Sequence, residues 1–177
     1  MVKKPIYLAC FLAVIGIICA GLIASVNTMT APIISEREKA EKEATILDFF
    51  PSMTRFEESD TSESEEFKAI QVIYNIYDQD NDCMGRIYEL ATKGYGGDIQ
   101  MFVAYDLKTK ELINLRYIGT FSETPGFGSR VKEDEFLSQI LNKPVDGMSI
   151  DTLSGATITS SAVKKAIDEA NAHFLKH

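Results

Sequence analysis

The chain has 177 residues, 18 basic and 26 acidic, for a formal charge of −8, and 45% of it is hydrophobic. That length holds one domain with a real core, and the acidic balance excludes the basic surface that nucleic-acid binding needs. The charge is unevenly spread: residues 1–26 carry only Lys3 and Lys4, so the rest of the chain holds a net −10. A soluble cytosolic globule is disfavoured by the long uncharged run beside those lysines.

Residues 6–26, IYLACFLAVIGIICAGLIASV, contain no acidic or basic side chain. As an α-helix this run is roughly 32 Å long, about the thickness of a bilayer core. It is longer than the apolar region of a signal peptide and lacks a small residue before Asn27, so an uncleaved anchor is expected. The positive-inside rule keeps residues 1–5, with Lys3 and Lys4, in the cytoplasm and places residues 27–177 outside. Cys10 and Cys19 are two and a half turns apart on such a helix and face opposite sides. Cys83 stands alone in the exported part, so no intrachain disulfide is expected there.

Residues 27–66 read as a connecting region. Pro32 suits a first helical turn, and the charged stretch that follows reads as a stalk helix ending at Phe50 before Pro51. Residues 54–66, TRFEESDTSESEE, hold six acids and little that would form a core, so a solvated loop is expected.

Residues 67–177 form the expected domain. FKAIQVIYNIY is rich in β-branched and aromatic residues and ends in an Asp/Asn turn at 78–82. Further strands are expected at about 85–91, 99–105 and 111–119, with a short helix at 134–141. In the C-terminal helix, Ala162, Val163, Ala166, Ile167, Ala170 and Phe174 share one stripe. An antiparallel sheet followed by helices makes a small α+β domain behind a single transmembrane helix. Asp78, Asp80, Asp82 and Glu89 copy the spacing of a calcium loop, but Cys83 replaces the required glycine and a hairpin turn explains the pattern. His173 and His177 are expected at the surface near the C-terminus. They offer neither a metal site nor a catalytic set, and no metal or catalytic residue is assigned.

Three segments carry more information. The loop Lys93-Gly94-Tyr95-Gly96-Gly97-Asp98 surrounds an aromatic ring with glycines, which permits close backbone approach. In Glu123-Thr124-Pro125-Gly126-Phe127-Gly128, Pro-Gly presets a type II turn that presents an acid, a hydroxyl and an aromatic. Finally Asp151-Thr152-Leu153-Ser154-Gly155-Ala156-Thr157 runs through Thr159, Ser160 and Ser161 into the last helix. A helix N-terminus lined with hydroxyls suits a phosphate, although an ordinary Ser/Thr cap accounts for the same residues.

The Asp-x-x-Ser-Gly-Ala-Thr pattern at 151–157 resembles the flavinylation signature of the FMN-binding domain family, and the 94–97 and 123–128 loops recur there in the same order. The short, singly anchored members that serve Rnf-type ion-translocating electron-transport complexes are the most similar. The related component of the sodium-pumping NADH:quinone reductase is usually longer. The resemblance implies FMN joined covalently through a phosphoester to Thr157, delivered from FAD by a separate flavin transferase. It also implies a cofactor site of Ser154, Gly155, Ala156, Thr159, Ser160, Glu123, Thr124, Pro125, Gly126, Gly128, Tyr95 and Gly96, with Tyr95, Phe121 and Phe127 packing the flavin ring. Phe121 and Phe127 stand where many members have histidine and leucine. The implied role is an electron relay among other membrane subunits, with no complete activity of its own. A free-standing membrane-anchored flavoprotein and a non-redox exported binding module are the two alternatives.

Overall fold

The computed structural model of the chain describes residues 3–59 and 67–177. Residues 60–66 of the expected acidic loop, and the first two residues of the expected cytoplasmic N-terminus, lie outside the described residues.

Helix α1 runs over Lys3–Phe49 with Pro32 inside it. The expectation of a separate stalk helix beginning at Pro32 is therefore corrected. A proline inside a helix leaves the carbonyl four residues back, here Thr28, without its N–H partner. The Glu-, Lys- and Ala-rich stretch that follows favours helix strongly enough to carry it onward. Among the described residues this is the one helix long and apolar enough to cross a membrane.

The chain divides into two units, residues 1–45 and 46–177. The second is a six-stranded antiparallel sheet in sequential order, β1 to β6. Its strands are β1 Arg55–Ser59, β2 Ile70–Tyr77, β3 Cys83–Lys93, β4 Asp98–Asp106, β5 Glu111–Ile118 and β6 Lys143–Pro144. A 3-10 turn at Gly128–Lys132 leads to α2, Asp134–Leu137, and the chain ends in α3, Thr157–Lys176. The expected α+β class, with an antiparallel sheet and a C-terminal helix, is the one found.

Alternation along each strand divides the core between two faces. On β4, Met101, Val103 and Tyr105 join Tyr88, Leu90, Val163, Ile167, Ala170 and Phe174 beneath α3. Phe102 and Ala104 point the other way, onto Ile46, Phe49, Phe50, Ile76 and Ile87. Each large apolar side chain fully buried in these clusters contributes ~1.5–3 kcal/mol. Phe50 fits because residue 85 is glycine: a Cβ there would lie 2.3 Å from the Phe50 ring. The compact unit accordingly starts at Ile46, ahead of the boundary expected at residue 67.

Two further expectations are corrected. Residues 55–59 form edge strand β1, with Arg55 opposite Tyr77 and Phe56 opposite Ile76, instead of a solvated loop. The strand is mostly exposed, so its acids stay in water while its backbone pairs. His173 is buried, because it lies three residues beyond Ala170 on the inward stripe of α3. Its Nδ1 shares a 3.0 Å hydrogen bond with the buried Tyr88 hydroxyl. Burial pushes the Tyr88 phenol up to about 12.

Candidate functional site

Three turns meet at the N-terminal end of α3. The β3–β4 turn closes through Gly94 N–H on the Gly97 carbonyl at 2.8 Å and leaves Tyr95 72% exposed. The segment after β5 makes the Pro125-Gly126 turn, with Gly126 at φ +75° and its N–H donating to Ser129 Oγ at 2.9 Å. In the third turn Gly155 takes φ +81° and Ala156 N–H donates to the Leu153 carbonyl, after which α3 begins at Thr157. Positive φ at these two glycines is a conformation that side-chain-bearing residues rarely adopt.

The first turn of α3 has no side-chain cap. Its leading N–H groups have no acceptor within the helix, so Thr157, Ile158 and Thr159 present donors and the positive end of the helix dipole. The Thr157 side chain is exposed, and its Oγ1 lies 3.5 Å from the Leu153 carbonyl.

These turns enclose a cleft of about 490 Å³ lined by Tyr95, Glu123, Thr124, Phe127, Gly128 and residues 155–159. Its rim carries exposed apolar side chains: Phe127 and Ile158 are each 58% exposed, beside Tyr95. The Phe127 ring leans across the third turn, 3.7 Å from where a Cβ on Gly155 would stand. Glu123 is buried at the base, accepting from Gly96 N–H at 3.0 Å and from Thr159 Oγ1 at 2.7 Å.

Of the residues anticipated for cofactor binding, Tyr95, Glu123, Thr124, Gly128, Gly155, Ala156, Thr157 and Thr159 line this cleft. Gly96 reaches it only through Glu123. Pro125 and Gly126 shape the turn beside it. Ser154 stands outside, where its carbonyl accepts from Arg130 Nη1 at 2.7 Å. Ser160 is fully buried, donating to the Ala156 carbonyl at 2.9 Å and accepting from Leu153 N–H at 3.0 Å. Its hydroxyl fastens the turn to the helix and is turned away from any ligand in the cleft. Phe121 is likewise not part of the cleft: it packs edge-on against Tyr117, with Lys132 Nζ 3.7 Å from its ring centroid. Desolvation there holds the Lys132 ammonium below the ordinary lysine range.

Two residues at the site do not stand out in the sequence. Arg130 braces the third turn while also pairing with Glu135 at 2.6 Å. Ile158 contributes apolar rim. Neither belongs to a recognisable motif, and the only local signal is an apolar residue exposed at the start of an otherwise amphipathic helix.

Residues 94–172 match the FMN-binding domain family, and residues 1–48 match the RnfG N-terminal region. The G component of the proton-translocating ferredoxin:NAD+ oxidoreductase complex from Clostridium ljungdahlii is 27% identical, with 96% of this chain and 88% of that protein aligned. The G component of an ion-translocating oxidoreductase complex from Methanosarcina acetivorans is 26% identical, over 90% of this chain and 88% of that protein. The crystal structure of Shewanella oneidensis NqrC superposes with a TM-score of 0.45 at 17% identity, covering 73% of this chain and 74% of that one. The cleft lies within the matched segment, as does the 154–157 turn, and the apolar helix coincides with the N-terminal match. Over residues 94–172 the chain thus resembles the FMN-binding domain family, and ahead of that segment it resembles the RnfG N-terminal region.

Proposed function

We propose that this chain is the electron-transfer subunit of a membrane-bound, ion-translocating oxidoreductase complex of the Rnf type, carrying FMN through a phosphoester bond to Thr157. The observation that carries the reading is the exposed residue Thr157 at the uncapped start of α3, on a cleft of flavin size rimmed by Tyr95 and Phe127. The residues present suit the group. The free N–H groups of the first helical turn would donate to the phosphate oxygens, which would take the place of the missing cap. Tyr95 and Phe127 offer faces for a planar ring. When bound, FMN supplies one- and two-electron transfer that amino-acid side chains lack.

The attachment also suits the place. Outside the cytoplasm a dissociated FMN would be lost, and an ester to Thr157 prevents that. A separate flavin transferase makes the bond, so this chain is the substrate of that modification. Lys3 and Lys4 keep the N-terminus in the cytoplasm. Residues 6–26 contain no acidic or basic side chain, so ions cross through other subunits. The relatives are named as components of complexes, which favours a relay over a free-standing flavoprotein.

The test is a denaturing gel of the protein made in cells that possess a flavin transferase. The wild-type band is expected to fluoresce as flavin and the Thr157→Val band to be dark. A dark wild-type band, or fluorescence surviving in the variant, overturns the attachment. Copurification with multi-spanning subunits is expected, and purification without them would favour the free-standing form.

A further inference from the structure

We infer that Glu123 is the positioning residue that sets the aperture of the cleft and the direction of Thr157. The role in attachment rests on the function proposed above; the geometry does not.

Glu123 is only 7% exposed, and each carboxylate oxygen is committed to a different distant segment. Oε1 accepts from Gly96 N–H at 3.0 Å, on the turn that carries Tyr95. Oε2 accepts from Thr159 Oγ1 at 2.7 Å, in the same helical turn as Thr157. One rigid planar group therefore spans the two walls of the cleft, and charge-assisted hydrogen bonds of this kind are the stronger ones. Fixing Thr159 fixes the rotation of the first turn of α3, and with it where the Thr157 hydroxyl points. Ser160 ties that turn only to the adjoining Leu153 and Ala156, so Glu123 is the side chain that links it to the opposite wall.

The surrounding glycines give this role its clearest signature. A Cβ on Gly94 would lie 2.1 Å from Glu123 Oε1, and a Cβ on Gly128 would lie 2.2 Å from Oε2. A Cβ on Gly96 would lie 2.2 Å from the Ser122 carbonyl oxygen, next to Glu123 in the chain. Gly94, Gly96 and Gly128 thus make room for the carboxylate and its strand of backbone, more than for an incoming ligand. The carboxylate is a spacer held closely between the backbone of Gly94 and that of Gly128.

This geometry separates shape from charge. Glutamine keeps an acceptor for Gly96 N–H and offers an amide N–H to Thr159, whose hydroxyl turns from donor to acceptor. Aspartate is one methylene too short to reach both walls, and alanine reaches neither.

The experiment has two arms. Flavin fluorescence per mole of protein is measured in cells with the transferase for wild type, Glu123→Ala, Glu123→Asp, Glu123→Gln and Thr159→Val. Misplacing a reacting group by about 1 Å costs about 10–100-fold, so labelling is expected to slow by that factor in the alanine and aspartate variants. It is expected to be restored in the glutamine variant and to be intermediate in Thr159→Val. Amide hydrogen exchange is then followed in the Thr157→Val chain, with and without Glu123→Ala, so that no flavin is present in either. Loss of protection is expected at Gly96 and the first turn of α3, with β3 and β4 unchanged. Labelling of Glu123→Ala at the wild-type rate overturns the proposal, as does a glutamine variant as slow as alanine. Loss of protection across β3 and β4 also overturns it, since Glu123 would then hold the whole domain and not the cleft. A dark wild-type band would count against Thr157 attachment and leave the exchange arm to decide the aperture.

Discussion

The turn between β2 and β3 and the turn after β5 each centre on a carboxylate and behave as opposites. In the first, Asp78 Oδ1 accepts from the N–H groups of Asp80 and Asp82, each at 3.0 Å, so the carboxylate is satisfied within its own turn. The turn is exposed, and although Thr54 Oγ1 donates to the Asp78 carbonyl at 2.6 Å and Arg55 Nη2 to Asn81 Oδ1 at 2.6 Å, its carboxylate needs no distant partner. In the second, Glu123 is satisfied by residues 27 and 36 positions away. Its partners lie on the β3–β4 turn and on α3, so it joins three loops. A carboxylate bonded locally makes a turn; one bonded at a distance makes a site.

The difference is open to direct attack. The largest effect is expected from Gly128→Ala, which drives a methyl group into the Glu123 carboxylate. Such overpacking costs about 1–3 kcal/mol, read as a lower urea midpoint, together with a sharp fall in flavin attachment on the gel. Thr159→Val leaves one buried carboxylate oxygen without its donor, at a cost of about 1–3 kcal/mol. Equilibrium denaturation measures it, and an unchanged midpoint would place Glu123 on the same footing as Asp78. Alkali probes the packing on which the distant bonds depend. Tyr88 titrates at about 12 in the fold against 10.0 in an unfolded chain, so between those values the unfolded state loses its proton first. Stability from this group is complete below pH 10 and is lost as pH rises through about 12, so urea midpoints should decline across that window. The smallest effect is expected from Asp78→Ala, within ~1 kcal/mol, with attachment at the wild-type level. A dark Asp78→Ala band would erase the distinction between the turns.

The same distinction explains what can be read from the sequence. Strands β2 to β5 announce themselves because each has β-branched or aromatic residues bounded by local turn chemistry. The 154–157 motif and the Pro125-Gly126 turn are legible for the same reason, being contiguous. Edge strand β1 is not, since its pairing with β2 is a property of the partner and its exposed acids resemble a loop. β6 is two residues long and has no pattern of its own. His173 looks like a surface residue from its closeness to the terminus, although its spacing from Ala166 and Ala170 places it on the buried stripe. Ser160 and Thr159 are adjacent hydroxyls with different duties, one closing its own turn and one reaching Glu123. No pattern in the chain distinguishes them, because the difference lies in what packs opposite.

The ring of Phe50 lying where Gly85 has no side chain bears on how this protein is handled at the bench. A water-soluble fragment cut at residue 67 would discard Ile46, Phe49, Phe50 and β1, uncovering a greasy sheet face and a bare strand edge that invite aggregation. A fragment beginning at Ile46 retains the plug and is the one to express.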